Sequence, residues 1–108
     1  MPKSAKRNYS KYSQVATTLL GGLIRAARKE QKLTAQEVAT RAGISRGLLQ
    51  RIEKGDIKCE IGAAFEVATI VGVTLFDSDE KTLGRYLKLN NDKLMLLPKS
   101  IRKPKKAA

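Results

Sequence analysis

The chain has no histidine and no tryptophan, and its 108 residues include one cysteine, three tyrosines and two phenylalanines. Without histidine it lacks the commonest general base and a principal metal ligand. A single thiol, Cys59, can build neither a zinc cluster nor an intramolecular disulfide, and it fits a reducing compartment. We read Cys59 as a small packing residue. So few aromatic rings imply an aliphatic core, and a hydrophobic fraction of 42% is ordinary for one folded domain. No apolar run approaches the ~18 residues needed to cross a bilayer, and no signal-peptide core is seen. The carboxylates are scattered among lysines and arginines, as on a solvated surface. No glycine-rich phosphate loop follows a strand, because Gly21 and Gly22 fall inside a helical pattern. The sequence therefore reads as a binder without catalytic residues, cofactor or metal, located in the cytoplasm.

Charge of one sign dominates what is present. The net charge is +12, and the two ends supply nine of those charges. Residues 1–11 carry Lys3, Lys6, Arg7 and Lys11 without an acid, and residues 98–108 carry Lys99, Arg102, Lys103, Lys105 and Lys106 without one. Both ends are expected to be flexible basic arms that gain counterion-release energy on a polyanion. An anionic membrane would attract the same charges, but no amphipathic helix accompanies them.

The most informative stretch is LTAQEVATRAGISRGLLQRIEKG, residues 33–55. Thr34 followed by Glu37 is a capping box, and Val38, Ala39 and Ala42 give an apolar face at helical spacing. Gly43 ends that helix, since a left-handed backbone costs glycine little. Ile44 bridges a short turn, Ser45 caps a second helix, Leu48, Leu49 and Ile52 form its inner face, and Gly55 closes it. Its outward residues are Arg46, Gly47, Gln50, Arg51 and Lys54. Two short helices joined this way, with amide-bearing, cationic and small groups outward, suit a DNA major groove.

Around this unit the periodicity predicts three further elements. Tyr12, Val15, Ala16, Leu19, Leu20, Leu23, Ile24 and Ala27 predict a first helix from Tyr12 to Gln31, with Ser13 as its cap. Gly21 and Gly22 within it point to a close helix contact or a kink. Glu60 to Val71 reads as a fourth helix with Ile61, Ala64, Phe65, Ala68 and Val71 inward. Residues 73–76 read either as the start of a fifth helix or as a short strand, and we favour the strand. Such a strand would pair with a second copy, because an isolated one has no partner in this chain. A final helix follows, capped by Ser78 or Asp79 and weakened in the middle by Asn90, Asn91 and Asp92. The expected fold is all-α, a bundle of about five helices. Its parts are an arm at 1–11, a helix-turn-helix domain at 12–76, a dimerisation or partner segment at 77–97 and a tail at 98–108.

The stretch from Leu23 to Phe76 resembles the lambda-repressor/Cro (XRE) family of transcriptional regulators. The likeness rests on Ile24, Arg25, Ala27 and Arg28, on Leu33, Thr34, Glu37, Val38 and Ala39, and on Gly43, Ile44 and Ser45. It continues through Leu49, Arg51, Ile52, Glu53 and Gly55 to Gly72, Val73, Leu75 and Phe76. The resemblance implies an ion pair between Arg28 and Glu53, bracing the first helix against the recognition helix. The family's phosphate-binding glutamine at the start of the second helix is replaced by Ala35, with Gln36 one step later. Tyr12 and Ser13 at the opening of the first helix, VTLFD after the fourth, and the ending LMLLPKSIRKPKK are similar to HipB-type antitoxins. That likeness implies an autoregulating repressor which also binds a HipA-type serine/threonine kinase toxin. HipB-type tails can carry a toxin-engaging tryptophan, which this chain lacks.

The side-chain chemistry gives each candidate residue a role. Arg46 can donate two hydrogen bonds to guanine and Gln50 can pair with adenine in the same bidentate way, while Gly47 lets the helix approach the base edges. By resemblance these three fall on the family's base-contact positions. Thr34, Gln36, Ser45, Arg51, Lys54 and Lys58 are the candidate phosphate contacts. A domain this small covers one half-site, so a homodimer on operator DNA is expected, with Val73, Thr74, Leu75 and Phe76 as dimer contacts. Three readings stay open: a dimeric antitoxin-repressor, a stand-alone repressor, and a sequence-blind architectural nucleic-acid binder.

Overall fold

Local capping explains where most helices begin. In the computed structural model, which describes residues 8–104, α1 spans Lys11–Glu30, α2 Ala35–Ala42, α3 Arg46–Glu53, α4 Ile61–Val71 and α5 Glu80–Met95. Ser10 caps α1 by accepting the Ser13 amide at 3.1 Å, so the helix starts earlier than the expected cap at Ser13. Lys11 accordingly belongs to the helix and not to an arm. Lys3, Lys6 and Arg7 of the first arm, and Lys105 and Lys106 of the tail, lie outside the described residues.

At α2 both bonds of the capping box form. The Thr34 hydroxyl accepts the Glu37 amide at 3.0 Å, and the Glu37 carboxylate accepts the Thr34 amide at 3.1 Å. Gly43 ends α2 in the left-handed region at φ 69°. Ser45 caps α3 through the Leu48 amide at 3.0 Å.

The chain divides into two compact units, one ending at Leu75 and the other starting at Phe76. In the first unit α2 packs on α3 and α4, and α1 packs on α3 and α4. The core is Ile24, Val38, Ala39, Leu49, Ile52, Val67, Ala68 and Val71, aliphatic throughout. Each of its larger side chains contributes about 1.5–3 kcal/mol on leaving water. Gln31 donates from Nε2 to the Val71 carbonyl at 2.6 Å, which joins the end of α1 to the end of α4.

The inner face of α1 differs from the one periodicity predicts. Tyr12, Val15, Ala16, Leu19 and Leu23 are exposed, whereas Gly21 and Ile24 are buried with Leu20 and Ala27 partly covered. The apolar set is wider than the area α3 and α4 can cover, and the centre of the contact is a glycine that carries no hydrophobic signal. A Cβ on Gly21 would collide with the Ile52 carbonyl and come within 2.8 Å of the Glu53 carbonyl oxygen. Gly22 faces open space. Gly55, at φ 79°, meets the α1 backbone at Thr18 in the same way.

Residues 73–76 form neither a helix nor a strand in the single chain. Beyond single bridge positions at Leu75 and Ser78, no strand occurs among the described residues. Val73 and Leu75 pack against the core, and Phe76 and Asp77 turn the chain in left-handed conformations at φ 53° and 52°. In the second unit Asp79 caps α5, accepting the Thr82 amide at 2.8 Å. The helix runs unbroken through Asn90, Asn91 and Asp92, contrary to the expected weak point. It buries none of its residues. No helix among the described residues is long and apolar enough to cross a membrane.

Candidate nucleic-acid interface

The short turn at Gly43 to Ser45 and the close approach of α1 to the end of α3 hold one face of α3 against the core. Leu49, Ile52 and Glu53 are buried, and Leu48 is partly so. The opposite edge is left to solvent, with Arg46, Gly47, Gln50, Arg51 and Lys54 all exposed. Arg46, Gln50 and Lys54 line a concavity of about 490 Å³ together with Thr34 and Ala35 at the start of α2 and Arg25, Arg28 and Glu53. Thus four of the residues singled out for DNA, namely Thr34, Arg46, Gln50 and Lys54, meet around one surface.

Gln36, Ser45, Gly47, Arg51 and Lys58 are exposed but do not line that concavity. Gln36 donates to the Thr40 hydroxyl at 3.1 Å along its own helix. The Ser45 and Thr34 hydroxyl oxygens accept cap bonds, which leaves the hydrogen of each available to an anion. Arg51 donates from Nε to Asp56 at 2.9 Å, so its charge is partly matched while its terminal nitrogens make no bond among the described residues. The other Asp56 oxygen accepts the Lys58 amide at 2.9 Å. These two bonds, the amide foremost, hold the Asp56 carboxyl below its ordinary range. They also fix the loop that carries Lys58.

The best-defined polar feature of this surface is an ion pair. Arg28 donates from Nε to one Glu53 oxygen at 2.7 Å and from a terminal nitrogen to the other at 3.0 Å. Its remaining terminal nitrogen donates to the Leu33 carbonyl at 2.9 Å, just before the α2 cap. The two side chains are only 12% and 6% exposed, so the fork geometry satisfies charges that water reaches poorly. The bond to Glu53 is the main reason the Arg28 pKa is raised further, against the opposing effect of burial.

Cys59 packs against the core, and burial raises its thiol pKa, so the thiolate is disfavoured. Among the described residues no three His, Cys, Asp or Glu side chains are gathered as a metal site. Sequence reasoning does not single out Arg25 as part of the concavity. The signal is there, since Arg25 lies one turn beyond Gly21 and three residues before Arg28, on the helix side that faces α3.

The residues placed for dimer contact divide. Val73 and Leu75 are partly buried against the first unit's own core, while Thr74 and Phe76 are exposed.

A family model described as helix-turn-helix matches residues 24–77, half of the chain. Neither a curated protein nor a solved structure matches it. The matched segment begins at the buried Ile24, contains the α2–turn–α3 unit and α4, and ends at the turn after Leu75. The chain belongs to the XRE-type helix-turn-helix family of DNA-binding transcription regulators.

Proposed function

We propose that this protein is a sequence-specific repressor that sets α3 in the major groove of an operator and binds as a homodimer. The observation that carries the reading is the solvent edge of α3. There, among the described residues, Arg46 and Gln50 have no side-chain partner, and Gly47 has nothing nearer to an added Cβ than the Ser45 hydroxyl at 4.0 Å. Packing inside the chain gives no reason for a helical glycine that costs about 1 kcal/mol against alanine. Close approach of the helix to base edges does give one. Arg46 and Gln50 then read bases, while Thr34, Gln36, Ser45, Arg51, Lys54 and Lys58 contact phosphates.

One such domain reads a single half-site, which favours a symmetric dimer on an inverted repeat. Thr74 and Phe76 are the exposed members of the 73–76 segment and the better candidates for the dimer contact. In vitro selection of random duplexes by the full chain tests the reading. Two half-sites one helical turn apart are expected, and a pool without a shared sequence contradicts it.

The finer role we propose is that of an antitoxin which represses its own operon and binds a HipA-type kinase toxin. Its support is the likeness of residues 12–13, 73–77 and 94–106 to HipB-type proteins, and the apolar side chains that α5 leaves uncovered. Leu87 and Leu94, for example, are 63% and 55% exposed. Co-expression with a HipA-type kinase found in the neighbouring gene tests this role, and the lack of such a gene contradicts it. A stable complex and suppressed kinase toxicity are expected, and a kinase that stays free and toxic contradicts it.

A further inference from the structure

Of the four cations around the concavity beside α3, Arg28 is paired with Glu53, Arg46 and Lys54 are read as DNA contacts, and Arg25 alone has been given no role. It is exposed, lies on α1 and not on the helix-turn-helix, and has no hydrogen-bond or ion-pair partner among the described residues. The one carboxylate in the same lining, Glu53, has both oxygens occupied by Arg28 at 2.7 and 3.0 Å. Glu53 therefore balances Arg28 and leaves Arg25, Arg46 and Lys54 as unmatched positive charge around a single hollow.

The position of Arg25 is also fixed. Gly21, one turn earlier, lets α1 lie against the C-terminal carbonyls of α3 more closely than any Cβ permits. Three residues later, Arg28 anchors the same helix to Glu53. The base of Arg25 is thus held between two contacts with α3, and its side chain lies in the hollow that also receives Lys54.

We propose that Arg25 is a phosphate-binding residue, which with Lys54 clamps the phosphodiester backbone bordering the groove that α3 enters. The proposal rests on the reading that α3 reads duplex DNA. Arg25 supplies a planar donor fork that suits two phosphate oxygens, and Lys54 supplies a point charge beside it. Because phosphate carries no sequence information, Arg25 raises affinity without adding specificity.

The test uses the full chain, a duplex selected by the wild type, and a scrambled duplex of equal length. Salt titrations of affinity are made for wild type, Arg25→Ala, Arg25→Lys and Arg46→Ala. Arg25→Ala is expected to weaken both duplexes alike, roughly three- to tenfold, and to lower the salt slope by about one unit. Arg25→Lys should keep the slope, and Arg46→Ala should weaken the selected duplex selectively. Wild-type slope and affinity in Arg25→Ala overturn the proposal, and leave base reading intact if Arg46→Ala still loses discrimination. Loss of binding to the selected duplex alone in Arg25→Ala also overturns it, since that would make Arg25 a base reader. A wild-type chain that binds no duplex defeats this proposal together with the reading beneath it. Thermal melting of Arg25→Ala within the wild-type range separates lost contact from lost fold.

Discussion

Arg28 and Glu53 join two helices with a fork-to-fork ion pair, and the same guanidinium holds the Leu33 carbonyl ahead of the α2 cap. One arginine thus sets α1, the start of α2 and the end of α3 in a single geometry. Removing Glu53 leaves a poorly hydrated cation, so Glu53→Ala is expected to cost about 2–3 kcal/mol in a denaturant melt. The double variant Arg28→Met/Glu53→Leu should lose clearly less than the sum of the single changes. Additive losses would show that the two side chains act independently.

Gly21 and Gly22 are neighbours with opposite roles. A methyl group at Gly21 meets backbone carbonyls that cannot move aside, so Gly21→Ala is expected to destabilise the fold by about 2–4 kcal/mol. Gly22→Ala meets nothing and should stabilise it by up to about 1 kcal/mol through helix propensity. Equal melting temperatures for the two variants would contradict the close contact of α1 with α3.

Gly47 separates stability from function. Among the described residues nothing crowds its Cβ position, so Gly47→Ala should raise stability by about 0.5–1 kcal/mol. In the proposed complex the same methyl group would stand between α3 and the base edges, and it should weaken binding to the selected duplex. A variant that is both more stable and fully active would remove the functional reason for this glycine.

The acids that are held below their ordinary range predict the pH response. Glu37 is lowered first by its bond from the Thr34 amide, Asp56 by the Lys58 amide and Asp79 by the Thr82 amide. A carboxylate with a depressed folded pKa adds stability above its unfolded pKa and loses it as pH falls through the folded one. The chain has no histidine to titrate nearer neutrality. Its melting temperature should therefore stay level from roughly pH 8 to 5 and fall below about pH 4. Glu37→Gln should make the acid-side fall shallower, and a steep loss between pH 5 and 7 would contradict these assignments.

Much of the first unit was legible because its signals are local. Thr34 with Glu37, Gly43 and Ser45 mark helix ends through bonds within three or four residues, and those bonds form. The inner face of α1 departs from its periodicity because burial depends on what packs across from it, and Gly21 contributes contact without hydrophobicity. Arg51 reads as a free cation until Asp56, five residues on, folds back to it. Arg25 carries only a spacing signal, four residues after Gly21 and three before Arg28, because it shares a hollow with Lys54 only once α1 docks on α3. At residues 73–76 the β-branched run suggests a strand paired with a second copy; within the single chain the core takes up Val73 and Leu75 while Phe76 and Asp77 turn the chain. Asn90 to Asp92 suggest a break by their low propensity, but they lie within a 16-residue helix that the Asp79 cap starts.

The proposed function depends above all on α3 reading bases through Arg46 and Gln50. Its most direct measurement is the affinity of wild type and Gln50→Ala for the selected duplex and for duplexes changed one base pair at a time. Gln50→Ala is expected to lose about 1–3 kcal/mol of discrimination at one adenine-bearing position, and to keep wild-type affinity for scrambled DNA. Discrimination at every position equal to that of wild type would contradict it.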